Sequence, residues 1–179
     1  CTSSATPLTV NAQPATPAAS ISYAGSPFCG SVTNALPTLT GTTGGIFICS
    51  DETDDISINS NTGAVTSSIP ATYHIVYIIE AAGGCPIVEA KTEVVVNPTP
   101  SVNTITSQTV CSNTSTTAVT FSGSVTGTVY KWTNNTTSIG LAASGTSDIA
   151  AFTATNTTSA PVTATITVTP SYTNGGVTC

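Results

Sequence analysis

Six cysteines, one histidine and a short run of acids are the residues of this chain with chemistry to offer. The cysteines stand at positions 1, 29, 49, 85, 111 and 179. They lack the close pairs that zinc sites use, and His74 alone does not complete a Cys/His ligand set. Disulfides in an oxidising compartment are the expectation. Cys29 and Cys85 bracket much of the first half and Cys111 and Cys179 bracket the second, so the expected bonds are Cys29–Cys85 and Cys111–Cys179. Closing loops of that length stabilises a fold by about 4 kcal/mol in the chain-entropy treatment, although spacing alone does not select one connectivity. Cys1 is expected to bond outside this segment, to a cysteine equivalent to Cys111. Cys49 is then left over, as an inter-subunit bond or as a buried thiol.

Asp51, Glu52, Asp54 and Asp55 hold half of the eight acids within five residues. Oxygen ligands at such spacing suit calcium, with Asp51, Asp54 and Asp55 as the candidates, but the glycine and distal glutamate of an EF-hand are absent. A solvated acidic loop is the expectation. Trp132 has the chemistry to stack on a sugar ring, yet an aromatic residue in mid-strand is expected in a core. Tyr73 begins an alternating strand and is expected to form a tyrosine corner. His74 is expected on an exposed face without a catalytic partner. Neither a Gly-x-Ser-x-Gly motif nor a phosphate-binding loop occurs, so no enzyme, metal or cofactor is expected. Asn113, Asn134, Asn135 and Asn156 each open an Asn-x-Ser/Thr sequon, a pattern that chance produces readily in a Thr-rich chain.

The elements that must carry these residues are strands. Charged residues make up 6% of the chain, against about 25% in ordinary globular proteins. Arginine is absent, Lys91 and Lys131 are the only lysines, and roughly a third of the residues are Ser or Thr. Helices would need charged outer faces that this composition does not supply, so the fold class is all-β. The net charge of −6 argues against nucleic acid and anionic lipid as partners. Apolar runs fall short of a membrane span, and the N-terminus lacks the pattern of a signal peptide. It reads as an excised or processed segment.

Period-2 alternation places Tyr73, Ile75, Tyr77 and Ile79 on one face, with His74 and Glu80 on the other. The same rhythm puts Val88, Ala90, Val94 and Val96 inward, and sets Val162, Ala164, Ile166 and Val168 against a row of threonines. Gly- and Asn-rich turns separate these runs, which predicts two β-sandwich domains in tandem. Asn97-Pro98-Thr99-Pro100 is the expected linker, giving domains over 13–98 and 99–179. The ending Val96-Asn97-Pro98 echoes Val10-Asn11 followed by Pro14. Residues 1–12 are therefore expected to be the last strand of a preceding repeat's domain, and the 99–179 domain to await its final strand from the next unit. A frayed leader is the alternative.

Val129-Tyr130-Lys131-Trp132-Thr133-Asn134, Ser138-Ile139-Gly140-Leu141-Ala142-Ala143-Ser144-Gly145 and Asp148-Ile149-Ala150-Ala151-Phe152 resemble the PKD-like domains of giant Bacteroidetes cell-surface proteins. Ile58-Asn59-Ser60-Asn61-Thr62-Gly63 and Ala71-Thr72-Tyr73-His74 are similar to the Ig-like repeats that accompany them. The resemblance implies tandem β-sandwich modules of adhesins, including gliding-motility adhesins, exported by type IX secretion. It implies an extracellular, cell-surface location, no catalysis, and neighbouring copies of the repeat as partners. Ile46-Phe47-Ile48-Cys49 and its acidic loop depart from that pattern. The function expected is a disulfide-stabilised structural repeat of a filament or adhesin; a module that binds surface glycans or calcium is the alternative. Exposed aromatic residues would favour the second, aromatic residues confined to cores the first.

Overall fold

The computed structural model describes residues 6–10, 15–80 and 86–179. Among them the chain is all-β, with no α-helix and a single 3-10 turn over Thr137–Ile139. The strands, in chain order, begin with β1 (Ala19–Ser22), β2 (Phe28–Cys29), β3 (Val32–Ala35), β4 (Thr38–Gly41), β5 (Ile46–Cys49), β6 (Ser57–Ile58) and β7 (Val65–Ser67). They continue with β8 (Ala71–Ile79), β9 (Val88–Asn97), β10 (Val129–Asn134), β11 (Ser144–Thr146), β12 (Ile166–Ser171), β13 (Thr173–Asn174) and β14 (Val177–Thr178). The chain divides into two compact units. The first contains the chain up to Ser26 and Val32–Val95; the second contains Pro27–Ser31 and Val96–Cys179.

In the first unit β5, β8 and β9 lie side by side, β3, β7 and β6 form a second sheet, and β1 pairs with β4. Tyr73, Ile75, Tyr77 and Ile79 of β8 are buried as the period predicts and His74 is exposed, but further along the His74 face Val76 is buried as well. Val65, Val94, Phe47 and Val32 join them in burial, and Phe47 lies against Tyr77 with ring centroids 4.6 Å apart. Each buried phenol finds a partner, because an unsatisfied hydroxyl would offset the burial. Tyr23 donates to the Gly63 carbonyl at 2.6 Å, and burial pushes its pKa up to about 12. Tyr73 donates to the Ile69 carbonyl four residues upstream at 2.8 Å, with the Ser67 hydroxyl 2.9 Å away. This is the expected tyrosine corner.

The second unit is built around β11-β10-β12. Phe121, Trp132, Leu141 and Ile149 are its buried cluster, with Ile166, Val168, Tyr130 and Phe152 packed half-buried against it. Trp132 is thus a core residue. Its partner across the ladder is Gly145, and a β-carbon there would overlap the indole, so only glycine permits this approach. The alternation expected from Val162 becomes ladder only at Ile166, where Asn134 supplies the opposite residue. Residues 162–165 keep the rhythm but lie outside the strand. Edge position explains why β12 tolerates Pro170, which has no N–H to give.

Candidate functional site

Titratable groups gather where β5 ends. The register pairs Cys49 with Ile75, so the chain leaving β5 runs alongside His74. The Ser50 N–H donates to the His74 carbonyl at 2.9 Å. Asp51 then reaches back across the strand: its Oδ2 accepts the His74 backbone N–H at 2.6 Å, and its Oδ1 lies 2.9 Å from Nδ1 of the ring. On the ring's other side, Nε2 is 3.6 Å from Oε1 of Glu93.

The hydrogen bond to Asp51, with the charge behind it, raises the His74 pKa above its ordinary 6.5. In turn the His74 backbone N–H, followed by its ring, holds the Asp51 carboxyl below its usual 3.8. The Cys49 thiol donates to Asp51 Oδ2 at 3.5 Å, and burial pushes its pKa up. This arrangement favours an imidazolium held between two carboxylates. Each ring nitrogen faces an acid, and the nearby thiol is bonded to Asp51 rather than to the imidazole. His74 is exposed as expected, and it has two carboxylate neighbours, Asp51 and Glu93, that were not expected.

The rest of the acidic loop is organised by its own backbone. Thr53 N–H donates to the Asp51 carbonyl at 2.9 Å and Asp55 N–H to the Thr53 hydroxyl at 3.1 Å. Among the described residues, no group of three or more His, Cys, Asp or Glu side chains is placed to hold a metal ion. Asp51, the first of the three calcium candidates, has both carboxylate oxygens committed to His74, whereas Asp54 and Asp55 are exposed.

The cysteines pair otherwise than their spacing predicts. Cys29 is bonded to Cys179, 150 residues away, with Cα atoms 5.5 Å apart. The expected Cys29–Cys85 and Cys111–Cys179 bonds are thereby corrected: Cys111 carries a free, exposed thiol, and Cys85, like Cys1, lies outside the described residues. The reason is the placement of Pro27–Ser31 in the second unit. There β2 runs parallel to the end of β9, pairing Phe28 with Val96 and Cys29 with Asn97. Asn97 is buried and exchanges side-chain hydrogen bonds with Asn174: its Nδ2 donates to the Asn174 carbonyl at 3.1 Å, and the Asn174 Nδ2 donates to its Oδ1 at 2.9 Å. That reciprocal pair fixes the β13–β14 hairpin, and Cys179 comes with it. Cys49 is free and half-buried.

All ten aromatic side chains lie among the described residues, and none is exposed. Of the sequons, Asn134 is buried and donates to the Leu141 and Ala142 carbonyls at 3.1 and 3.3 Å, which occupies the amide a glycan would need. Asn156 donates to the Ala160 carbonyl at 2.9 Å. Leu8 and Val10 stand out in the opposite sense, at 89% and 78% exposure. No known protein family matches the chain, and no curated protein or solved structure matches it significantly.

Proposed function

We propose that the chain is a non-catalytic structural repeat of a long extracellular surface filament or adhesin, built from Ig-like and PKD-like β-sandwich modules. The observation that carries this reading is that no aromatic side chain is exposed: six are buried, and Phe28, Tyr130, Phe152 and Tyr172 are half-buried. Sugar-binding faces need exposed rings on which to stack, and Trp132, Tyr73 and Tyr77 serve the cores instead. The Cys29–Cys179 bond fits an oxidising, extracellular setting. With arginine absent and lysine only at Lys91 and Lys131, trypsin-like proteases find almost nothing to cut. The engagement of both His74 nitrogens by carboxylates fits a surface ion cluster better than a general base.

Electron microscopy of the native material, joined with its intact mass, tests the reading. Regular fibres whose mass resolves into this chain or its multiples are expected. A dispersed monomer that binds a glycan array or gains stability with calcium would replace this reading with that of a binding module.

A further inference from the structure

Two features of the structure are unpartnered and complementary. The first is the segment Thr6-Pro7-Leu8-Thr9-Val10, which among the described residues lies outside every sheet, with all five residues exposed. Its last three residues, Leu8-Thr9-Val10, alternate apolar and polar as Ile166-Thr167-Val168 do. Its Val10-Asn11 repeats Val96-Asn97, and the structure shows what that dipeptide does at a strand end: Val96 and Asn97 are buried to 2% and 1% exposure. The same local sequence is thus folded into a sheet at one position, while Val10 stands bare at the other.

The second feature is the edge of β12. The sheet β11-β10-β12 ends there, and among the described residues no strand lies on its outer side. Ile166 and Val168 pack against the core cluster yet remain only half-buried, and Thr167 and Thr169 alternate with them as exposed residues. An edge of this kind invites another strand, and matched i, i+2 side chains give the pairing its specificity.

We propose that the strand Thr6–Val10 of a second copy of this chain adds to the free edge of β12. Leu8 and Val10 pack beside Ile166 and Val168, and Thr9 joins the threonine face. The association is heterologous, since strand and edge are different surfaces, and it propagates head to tail, as an open fibre where the rotation between copies does not close on itself. This deepens the proposed function and rests on it only for the biological setting.

The full 179-residue chain, with its disulfide intact, provides the test. Leu8→Asp/Val10→Asp is expected to abolish polymers seen by light scattering, weakening association by roughly a hundredfold or more through loss of two buried aliphatic contacts. A synthetic peptide of residues 1–14 is then added to the doubly substituted chain, whose own strand no longer competes. It is expected to raise the Tm of the Trp132 transition and to slow amide exchange at Ile166 and Val168, while the peptide carrying both aspartates does neither. Polymers that persist in the double variant, or a peptide that leaves exchange in β12 unchanged, overturn the proposal. Native fibres without peptide capture would sink the strand exchange and leave the filament reading standing. Peptide capture without native fibres would uphold the strand exchange and remove the filament reading.

Discussion

Breaking the Cys29–Cys179 bond is the sharpest perturbation this structure offers. The bond closes a loop with a sequence separation of 150, and the chain-entropy relation gives about 5 kcal/mol for a loop of that length. Native-state relaxation lowers such figures, and about 2 kcal/mol is a cautious minimum. In a domain the size of the second unit, each kcal/mol moves the midpoint by about 4–8 °C, so Cys29→Ser or Cys179→Ser lowers its Tm by about 10 °C or more. Trp132 is the only tryptophan and sits in the second unit's core, so its fluorescence follows that unit alone. Tyr73 and Tyr77, through near-ultraviolet dichroism, follow the first. The tryptophan transition falls in either variant, the double variant is no worse than the singles, and Cys111→Ser leaves it in place. A tryptophan midpoint unmoved by Cys29→Ser would refute the reasoning. A loss reproduced by Cys85→Ser would restore the pairing that spacing alone suggests. Mapping the bond requires pepsin, because Lys91 and Lys131 are the only tryptic sites.

Other outcomes follow from single contacts. The Asp51–His74 pair stabilises the first unit fully between the unfolded pKa values, near 3.8 and 6.5. Its contribution is lost as pH falls through the depressed Asp51 value or rises through the elevated His74 value; Asp51→Asn flattens the pH–Tm curve at both ends, and an unchanged curve would refute the ion pair. Gly145→Ala forces a methyl into the Trp132 ring and costs about 1–3 kcal/mol, read as a drop in the tryptophan transition. Tyr73→Phe takes the phenol donor from the Ile69 carbonyl, while the Ser67 hydroxyl keeps its bond to the Asp55 carbonyl, and costs about 1 kcal/mol in urea unfolding. Millimolar calcium leaves both Tm values unchanged; a rise abolished by Asp54→Ala would show a calcium site in the acidic loop.

The strands were legible wherever side chains alternate against a buried face. Tyr73 to Ile79 is the clearest case, because period 2 has one meaning when every second residue is large and apolar. The same rhythm overran at residues 162–165, where alternation continues but, among the described residues, Asn135 bonds to Thr165 and no strand lies opposite to make a ladder. The Cys29–Cys179 bond was not legible. It depends on Phe28–Cys29 pairing with the end of β9, a non-local event with no local signature. The Asn97–Asn174 exchange is hidden for the same reason. Asp51 and His74 are 23 positions apart, and only the register Cys49 to Ile75 puts them face to face. A hairpin count from β5 to β8 would have found them, had the turns between been readable as one β6–β7 excursion.

The 150-residue loop closed by Cys29 and Cys179 also changes how the molecule carries load. Tension that enters at Cys29 and leaves at Cys179 crosses a covalent bridge spanning 5.5 Å between Cα atoms. Residues 30–178 are then bypassed, and roughly 500 Å of extensible chain is denied to the pull. Stretching can strip β1 from β4, since Ala19–Ser22 lie upstream of the bridge, but it cannot unravel the sheet around Trp132 until the sulfur–sulfur bond is cut. A reductant would act here as a release catch, turning an almost inextensible link into a long, yielding one.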